Sequence, residues 1–230
     1  MENSEFKTRK INDILEDFMG IPESKPMHSN PLKSLVLTIL SQNTSDVNSF
    51  NAFRSLEKAY RGTDGETDWH KLVEAPASEL ADVIRSGGLA NQKSERIQNI
   101  LQWLKREYGD YNADFICNMD QDKAIKLFTG HKGIGVKTVS VVLAFSCGTD
   151  IFPVDTHVNR ICHRLGLVSR KYNAEKTFWA MQDLVPEGKS FSLHVNMIRL
   201  GRQICHSRNP KCRQCPLEDE CEFLLAGFSQ

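Results

Sequence analysis

Apolar residues recur at helical spacing along almost the whole chain. Ile11, Ile14, Leu15 and Phe18 line one face of a first helix over residues 5–18, which Gly20, Pro22 and Pro26 end. From Pro31, the positions Leu32, Leu35, Val36, Ile39 and Leu40 predict a second helix. A polar stretch, Ser41 to Asp46, separates it from a third that carries Val47, Phe50 and Phe53. Residues 61–70 read as a polar, acidic loop. Leu80, Val83 and Ile84 mark a helix that stops at Gly87-Gly88, and after Leu89-Ala90-Asn91-Gln92-Lys93 a long helix carries Ile97, Ile100, Leu101 and Leu104. Ala124, Leu127 and Phe128 predict a short helix, and Thr138 to Ala144 is a near-continuous apolar run. Past residue 155 the spacing stays helical through Val158, Ile161, Cys162 and Leu165, then Phe178, Met181 and Leu184, and again from Leu193 to Ile204. Sustained period-two alternation with turn signals is missing, so the expected fold is all-α. There is no internal repeat and no low-complexity tract.

Composition narrows the class. A chain of 230 residues, 40% hydrophobic and 25% charged, has the make-up of a soluble globular protein with ample core. No apolar run reaches the length of a membrane span, and the stretch MENSEFKTRK lacks a signal-peptide core. The expectation is an intracellular protein with no membrane partner. Formal net charge is zero, which argues against a general polyanion binder. The charge is unevenly spread, however. Residues 196–215 hold Arg199, Arg202, Arg208, Lys211 and Arg213 without an acid, whereas Asp64, Glu66, Asp68 and the Glu218–Glu222 stretch are acidic.

The chemistry concentrates in Gly133-Ile134-Gly135-Val136-Lys137-Thr138 and, further on, Val154-Asp155-Thr156-His157. Glycines at 133 and 135 allow positive φ and close approach of another chain, and such a turn aims N–H groups outward, where a phosphate oxygen can sit. Lys137 stands at the mouth of the following helix. Alone, this is also how an ordinary helix starts, and Asp155, just after Pro153 and before a helical run, is equally suited to capping a helix.

Seven cysteines change the picture. Cys117, Cys147 and Cys162 lie in helical patterns and read as inert core residues. Cys205, Cys212, Cys215 and Cys221 follow one another as C-x6-C-x2-C-x5-C. In a chain expected to be intracellular, four thiols so close together read as metal ligands rather than as disulfides. Their spacing fits either a tetrahedral zinc or a [4Fe–4S] cubane.

Glycine hairpin, lysine, aspartate and cysteine spacing, in this order, resemble the helix-hairpin-helix DNA glycosylases of the endonuclease III family. The resemblance runs from about Pro31 to Cys221. Where that family's hairpin usually reads Leu-Pro-Gly-Val-Gly-x-Lys-Thr, this chain has His131-Lys132-Gly133-Ile134-Gly135-Val136-Lys137-Thr138. The first two positions depart from the pattern; Lys132 would add a phosphate contact.

The resemblance implies two helical lobes with a DNA-binding cleft between them. A six-helix barrel with the hairpin would cover residues 28–148, and an iron–sulfur lobe residues 1–27 and 149–230. The four cysteines would hold a [4Fe–4S] cluster. The implied activity is that of a bifunctional DNA glycosylase and AP lyase, acting as a monomer on duplex DNA with a damaged base, in the cytoplasm or nucleoid, or the nucleus of a eukaryote. Lys137 would attack C1′ of a flipped-out nucleotide and expel the base, and a Schiff base would then lead to β-elimination at the abasic site. Attack needs the neutral amine, which implies a pKa below the free value of about 10. Asp155 would stabilise positive charge developing on the sugar. Relatives that only remove a base have another residue at the lysine position, so lysine here implies both activities. Gln42 would fill the gap left by the flipped base and Leu89 would wedge the opposite strand. Gly133, Gly135, Arg199, Arg202, Arg208, Lys211 and Arg213 would contact phosphates. An oxidised pyrimidine is the expected target. The same fold acting on 8-oxoguanine or on a mismatched or methylated pyrimidine, a non-catalytic DNA-binding relative, and a zinc-ribbon interaction protein are the alternatives.

Overall fold

The structure, a computed structural model, describes residues 2–23 and 30–227. Among these residues the regular elements are twelve α-helices and four short 3-10 turns, with one isolated extended bridge between Arg61 and Thr67. The fold is all-α. The expected break at Pro26 and the expected boundary between residues 27 and 28 lie outside the described residues. No helix among those described is long and apolar enough to cross a membrane.

The chain divides into two compact units, Pro26–Cys147 and a discontinuous one made of Met1–Lys25 with Gly148–Gln230. The first helix, α1 (Glu2–Met19), belongs to the discontinuous unit. The continuous unit holds α2 (Pro31–Ser41), α3 (Asp46–Ala59), α4 (Trp69–Glu74), α5 (Ala77–Val83), α6 (Ala90–Tyr108), α7 (Gln121–Thr129) and α8 (Val136–Ser146). Asn30 starts α2 by accepting a hydrogen bond from the Lys33 amide at 3.1 Å, with Pro31 preset for the first turn. Residues on all sides of α2 are buried, Leu32, Leu35, Val36, Ile39 and Leu40 among them, and α8 is buried from Thr138 to Ala144. Helices apolar all round must be enclosed, so these two pack on each other, with α3 against α2 and α7 against α8.

Val47, Phe50 and Phe53 lie on α3 as expected; the first two are 69% and 47% exposed, and Phe53 faces the core. Two sequence readings need correction here. The acidic loop ends sooner than residue 70, because Asp68 accepts from the Lys71 amide at 2.9 Å and opens α4 at Trp69. Cys117 and Cys147 are not inert thiols but form a disulfide. The 3-10 turn Asp114–Asn118 packs against α8 and brings the two Cα atoms to 4.9 Å. Thirty residues of separation left no sequence signal for that pairing.

The discontinuous unit adds α9 (Thr156–Leu165), α10 (Ala174–Gln182), α11 (Ser190–Gln203) and the short α12 (Glu222–Leu225) to α1. Its centre is α11, which packs on α1 and on α9 and buries Leu193, Met197 and Leu200. Polar ties fasten α1 in place. Asn196 donates to the Gly20 carbonyl at 3.0 Å, and Lys189 pairs with Glu16 at 2.8 Å. Lys7 and Lys10 pair with Glu222 and Glu220.

Candidate functional site

In the continuous unit the chain leaves α7 at Thr129 and turns through residues 131–135 into α8. Gly133 has φ +85°, which strains any other residue, and a Cβ there would lie 2.1 Å from Nε of Arg96 and push that side chain off its place. Gly135 behaves otherwise. Its φ is −100° and a Cβ would meet nothing within 4 Å, so it needs no positive φ and leaves open space at the helix mouth. No side chain caps this end of α8. Lys132 is exposed on the turn, and Lys137 is half-buried in the first turn of α8.

His131, at the position where the resembling family has leucine, packs its ring on Trp103 with 4.4 Å between ring centres. Burial, with the charge of Arg106 behind it, lowers its pKa below the ordinary 6.5. As pH falls through that value, the unfolded chain takes up a proton at this ring before the folded one does, so stability falls with pH. Urea unfolding at about pH 7.5 and about pH 5.5 should therefore show a larger loss for the parent than for His131→Leu. Equal losses would remove His131 from the acid response.

Gln42 caps the C-terminal end of α2 and is bonded on both sides of its amide. Its Nε2 donates to the Gly133 carbonyl at 3.0 Å and to Thr138 Oγ1 at 3.2 Å, while Oε1 accepts from Nη1 of Arg96 at 2.7 Å. The residue thereby ties the end of α2 to the hairpin. Leu89 is no core leucine. It is 46% exposed and sits in the left-handed region, φ 48° and ψ 36°, between Gly88 and the start of α6. A leucine held there costs about 1–2 kcal/mol, which the surrounding structure must offset.

In the discontinuous unit Asp155 caps α9, its Oδ1 accepting from the Val158 amide at 2.8 Å. The buried residues 151–154 lead up to it. Gln182 clamps that segment by bonding both the amide and the carbonyl of Phe152, at 3.0 and 3.1 Å. His194 donates from Nδ1 to the Pro153 carbonyl at 2.8 Å. The carboxylate thus sits half-buried at the end of a fixed strap.

Cys205, Cys212, Cys215 and Cys221 border one cavity with Ile204, Phe223 and Arg164. Burial pushes the Cys215 thiol up to about 11, and the charges of Cys205, Cys221 and Cys212 push the same way. Cys212 is raised for the same reasons, burial first and then Cys221 and Cys205. Four thiols that repel one another's charged forms suit a cationic centre. Arg164 donates to Cys205 Sγ at 3.2 Å and to the His206 and Ser207 carbonyls at 2.7 and 3.1 Å. Among the described residues, no group of three or more histidine, cysteine, aspartate or glutamate side chains converges as ligands of one metal ion. Cys162 is wholly buried, and burial pushes its thiol up to about 12.

Of the basic residues around this loop, Arg202, Arg208, Lys211 and Arg213 are exposed. Arg199 differs, bonding Asn196 Oδ1 at 3.2 Å and the Met19 carbonyl at 3.5 Å within its own unit. Sequence reasoning missed Arg96 and Arg164, because a charged residue on a helical pattern reads as a solvated face. In each case the partner is a loop far along the chain.

Residues 36–187 match the HhH-GPD superfamily of base excision DNA repair proteins, and the chain belongs to that family. Within it the chain is similar to endonuclease III of Thermotoga maritima, with 34% identity over 195 residues covering 85% of this chain and 84% of that protein. It is also similar to two solved structures of endonuclease III with DNA, one a non-covalent complex and one a trapped covalent intermediate. Each superposes with a TM-score of 0.81 at 26% identity, over 97% of this chain and 98% of the other.

Proposed function

We propose that this protein is a bifunctional DNA glycosylase and AP lyase that removes oxidised pyrimidines from duplex DNA. The observation that carries the reading is Lys137 in the first turn of α8, beside a hairpin whose helix end no side chain caps. Lys137 Nζ attacks C1′ of the flipped nucleotide. The bond from C1′ to the base breaks, and the base leaves with the electron pair and picks up a proton. The amine loses a proton, the sugar ring opens to a protonated Schiff base, and C2′ then gives up a proton as the C3′–O bond breaks. Asp155 lends negative charge to the sugar as its positive charge develops.

The uncapped end of α8 and the exposed Lys132 suit a phosphate, as do the exposed Arg202, Arg208, Lys211 and Arg213. Gly133 and Gly135 let the backbone approach it. The partner set of Arg199 makes it a structural residue first. Gln42 and Leu89 enter the opened duplex, one toward the vacated base position and the other against the opposite strand. The protein acts as a monomer wherever the cell keeps its DNA, in cytoplasm, nucleoid or nucleus.

Cys205, Cys212, Cys215 and Cys221 hold a [4Fe–4S] cluster in this reading. The four border one cavity, and their C-x6-C-x2-C-x5-C spacing is the cluster signature of the resembling family, which favours the cubane over a zinc ion. When bound, the cluster would offset part of the charge of the four thiolates and cross-link their segment.

Release of free base from duplexes carrying thymine glycol, 8-oxoguanine or a G·T mismatch tests the substrate. Release from thymine glycol at a kcat/KM at least about tenfold above the others is expected, a margin of about 1.4 kcal/mol in transition-state binding. A preference for either other duplex would overturn the pyrimidine assignment.

A further inference from the structure

Lys93, near the start of α6, has no exposed surface, and its ammonium is bonded to two backbone carbonyls. Nζ donates to Leu40 at 2.7 Å and to Gly87 at 2.8 Å. Leu40 lies in the last turn of α2, and Gly87 closes the 3-10 turn Arg85–Gly87. Carbonyls at such ends lack a partner inside the helix and carry its partial negative charge, so one cation closes both ends at once. The position is kept at a cost, since burial and then the charge of Arg96 push the lysine down to about 8.

Each clamped carbonyl lies just ahead of a side chain assigned to duplex opening. Two residues beyond Leu40 comes Gln42, and two beyond Gly87 comes Leu89. Each side chain is therefore tied to the same ammonium through no more than two chain steps of about 3.8 Å. Both segments also hold a left-handed residue, Asn43 at φ 53° and Leu89 itself at φ 48°. Arg96, one residue short of a further turn along α6, bonds the Gln42 amide directly. The first turns of α6 thus set Gln42 twice and Leu89 once.

We propose that Lys93 is a positioning residue for base opening: by clamping the Leu40 and Gly87 carbonyls it fixes the separation of Gln42 and Leu89, so that the two side chains enter the duplex together. The inference rests on the duplex-opening roles given above to Gln42 and Leu89. Lys93 touches neither substrate nor cluster in this account. Its effect is confined to steps in which a paired base must be opened.

The test compares Lys93→Met with the parent in single-turnover excision from two duplexes. In one the damaged base faces its normal partner; in the other it faces an abasic site, so that no pairing has to be broken. Active enzyme is counted in each preparation by borohydride trapping on a preformed abasic site. The expected result is a loss of about 10- to 100-fold on the paired lesion, the scale set by a misplacement of about 1 Å, with less than about 3-fold on the unpaired one. Equal losses on both duplexes, or none on either, would overturn the proposal. If the methionine variant does not fold, Lys93→Gln, which keeps an amide donor, is judged by the same ratio. Gln42→Ala and Leu89→Ala run alongside separate the two readings. If these show no paired-lesion defect, the roles of Gln42 and Leu89 fail; if they show it and Lys93→Met does not, only the positioning role fails.

Discussion

Lys137→Gln is expected to bind damaged duplex DNA about as the parent does and to yield no covalent complex under borohydride. Glutamine keeps a polar tip on a stem of similar reach but cannot form a carbon–nitrogen double bond with C1′. Because Lys137 is half-buried, duplex binding and the thermal midpoint of the variant are measured alongside, and a loss of trapping with both kept is chemical. Removing a nucleophile from a working site costs on the order of 10^4-fold or more in rate. Sodium borohydride reduction of the Schiff base on a duplex with one thymine glycol, resolved on a denaturing gel, reads this directly. A band for the parent and none for the variant is the expected pair. Trapping on abasic DNA but not on thymine glycol would keep the lyase chemistry and discard the substrate. An untrapped parent would mean a monofunctional glycosylase or a non-catalytic DNA-binding relative.

Cys215→Ala is expected to abolish the broad visible absorption of a [4Fe–4S] protein and to expose residues 205–221 to protease. That segment contains only two three-residue 3-10 turns, and Leu217 is its one apolar side chain without exposed surface. It therefore has little core of its own, and on the proposed reading cluster binding would contribute to its folding. Cys215 is chosen because it lies between the two 3-10 turns and borders the cavity with the other three cysteines. Loss of colour with the α9–α11 packing kept, seen as an unchanged far-ultraviolet helix signal, is the predicted combination. A variant that retains the parent's visible spectrum would remove Cys215 from the ligand set.

Much of this was open to inspection in the chain itself, for physical reasons that differ from residue to residue. Helices such as α2 and α8 are legible because their apolar positions recur without interruption and their ends carry Asn30, Pro31 or glycine. The hairpin is legible because the φ of +85° at Gly133 favours glycine there. The short α4 was hidden, since a six-residue helix offers too few periods to stand out from an acidic loop. The Cys117–Cys147 bond was hidden because pairing depends on where the 3-10 turn packs. Lys93 and Arg96 were hidden for a third reason. A cation that serves backbone carbonyls or an amide leaves no complementary acid in the sequence to betray it.

The unit assembled from both parts of the chain has a consequence for synthesis on the ribosome. Residues 26–147 form one uninterrupted unit and can close as soon as Cys147 has emerged. Helix α1 is made earlier still, yet its partners, α11 with Asn196 and the acids Glu220 and Glu222, follow only after the whole of the continuous unit. At the usual elongation rate of about 5–20 residues per second, α1 waits roughly ten seconds or more for them. During that interval Ile11 and Leu15, buried in the finished unit, have nothing of their own to cover them. Helix α1 is thus made before α2 to α8 yet finds its place only once α11 has followed them, and the nascent chain carries an open apolar face in between.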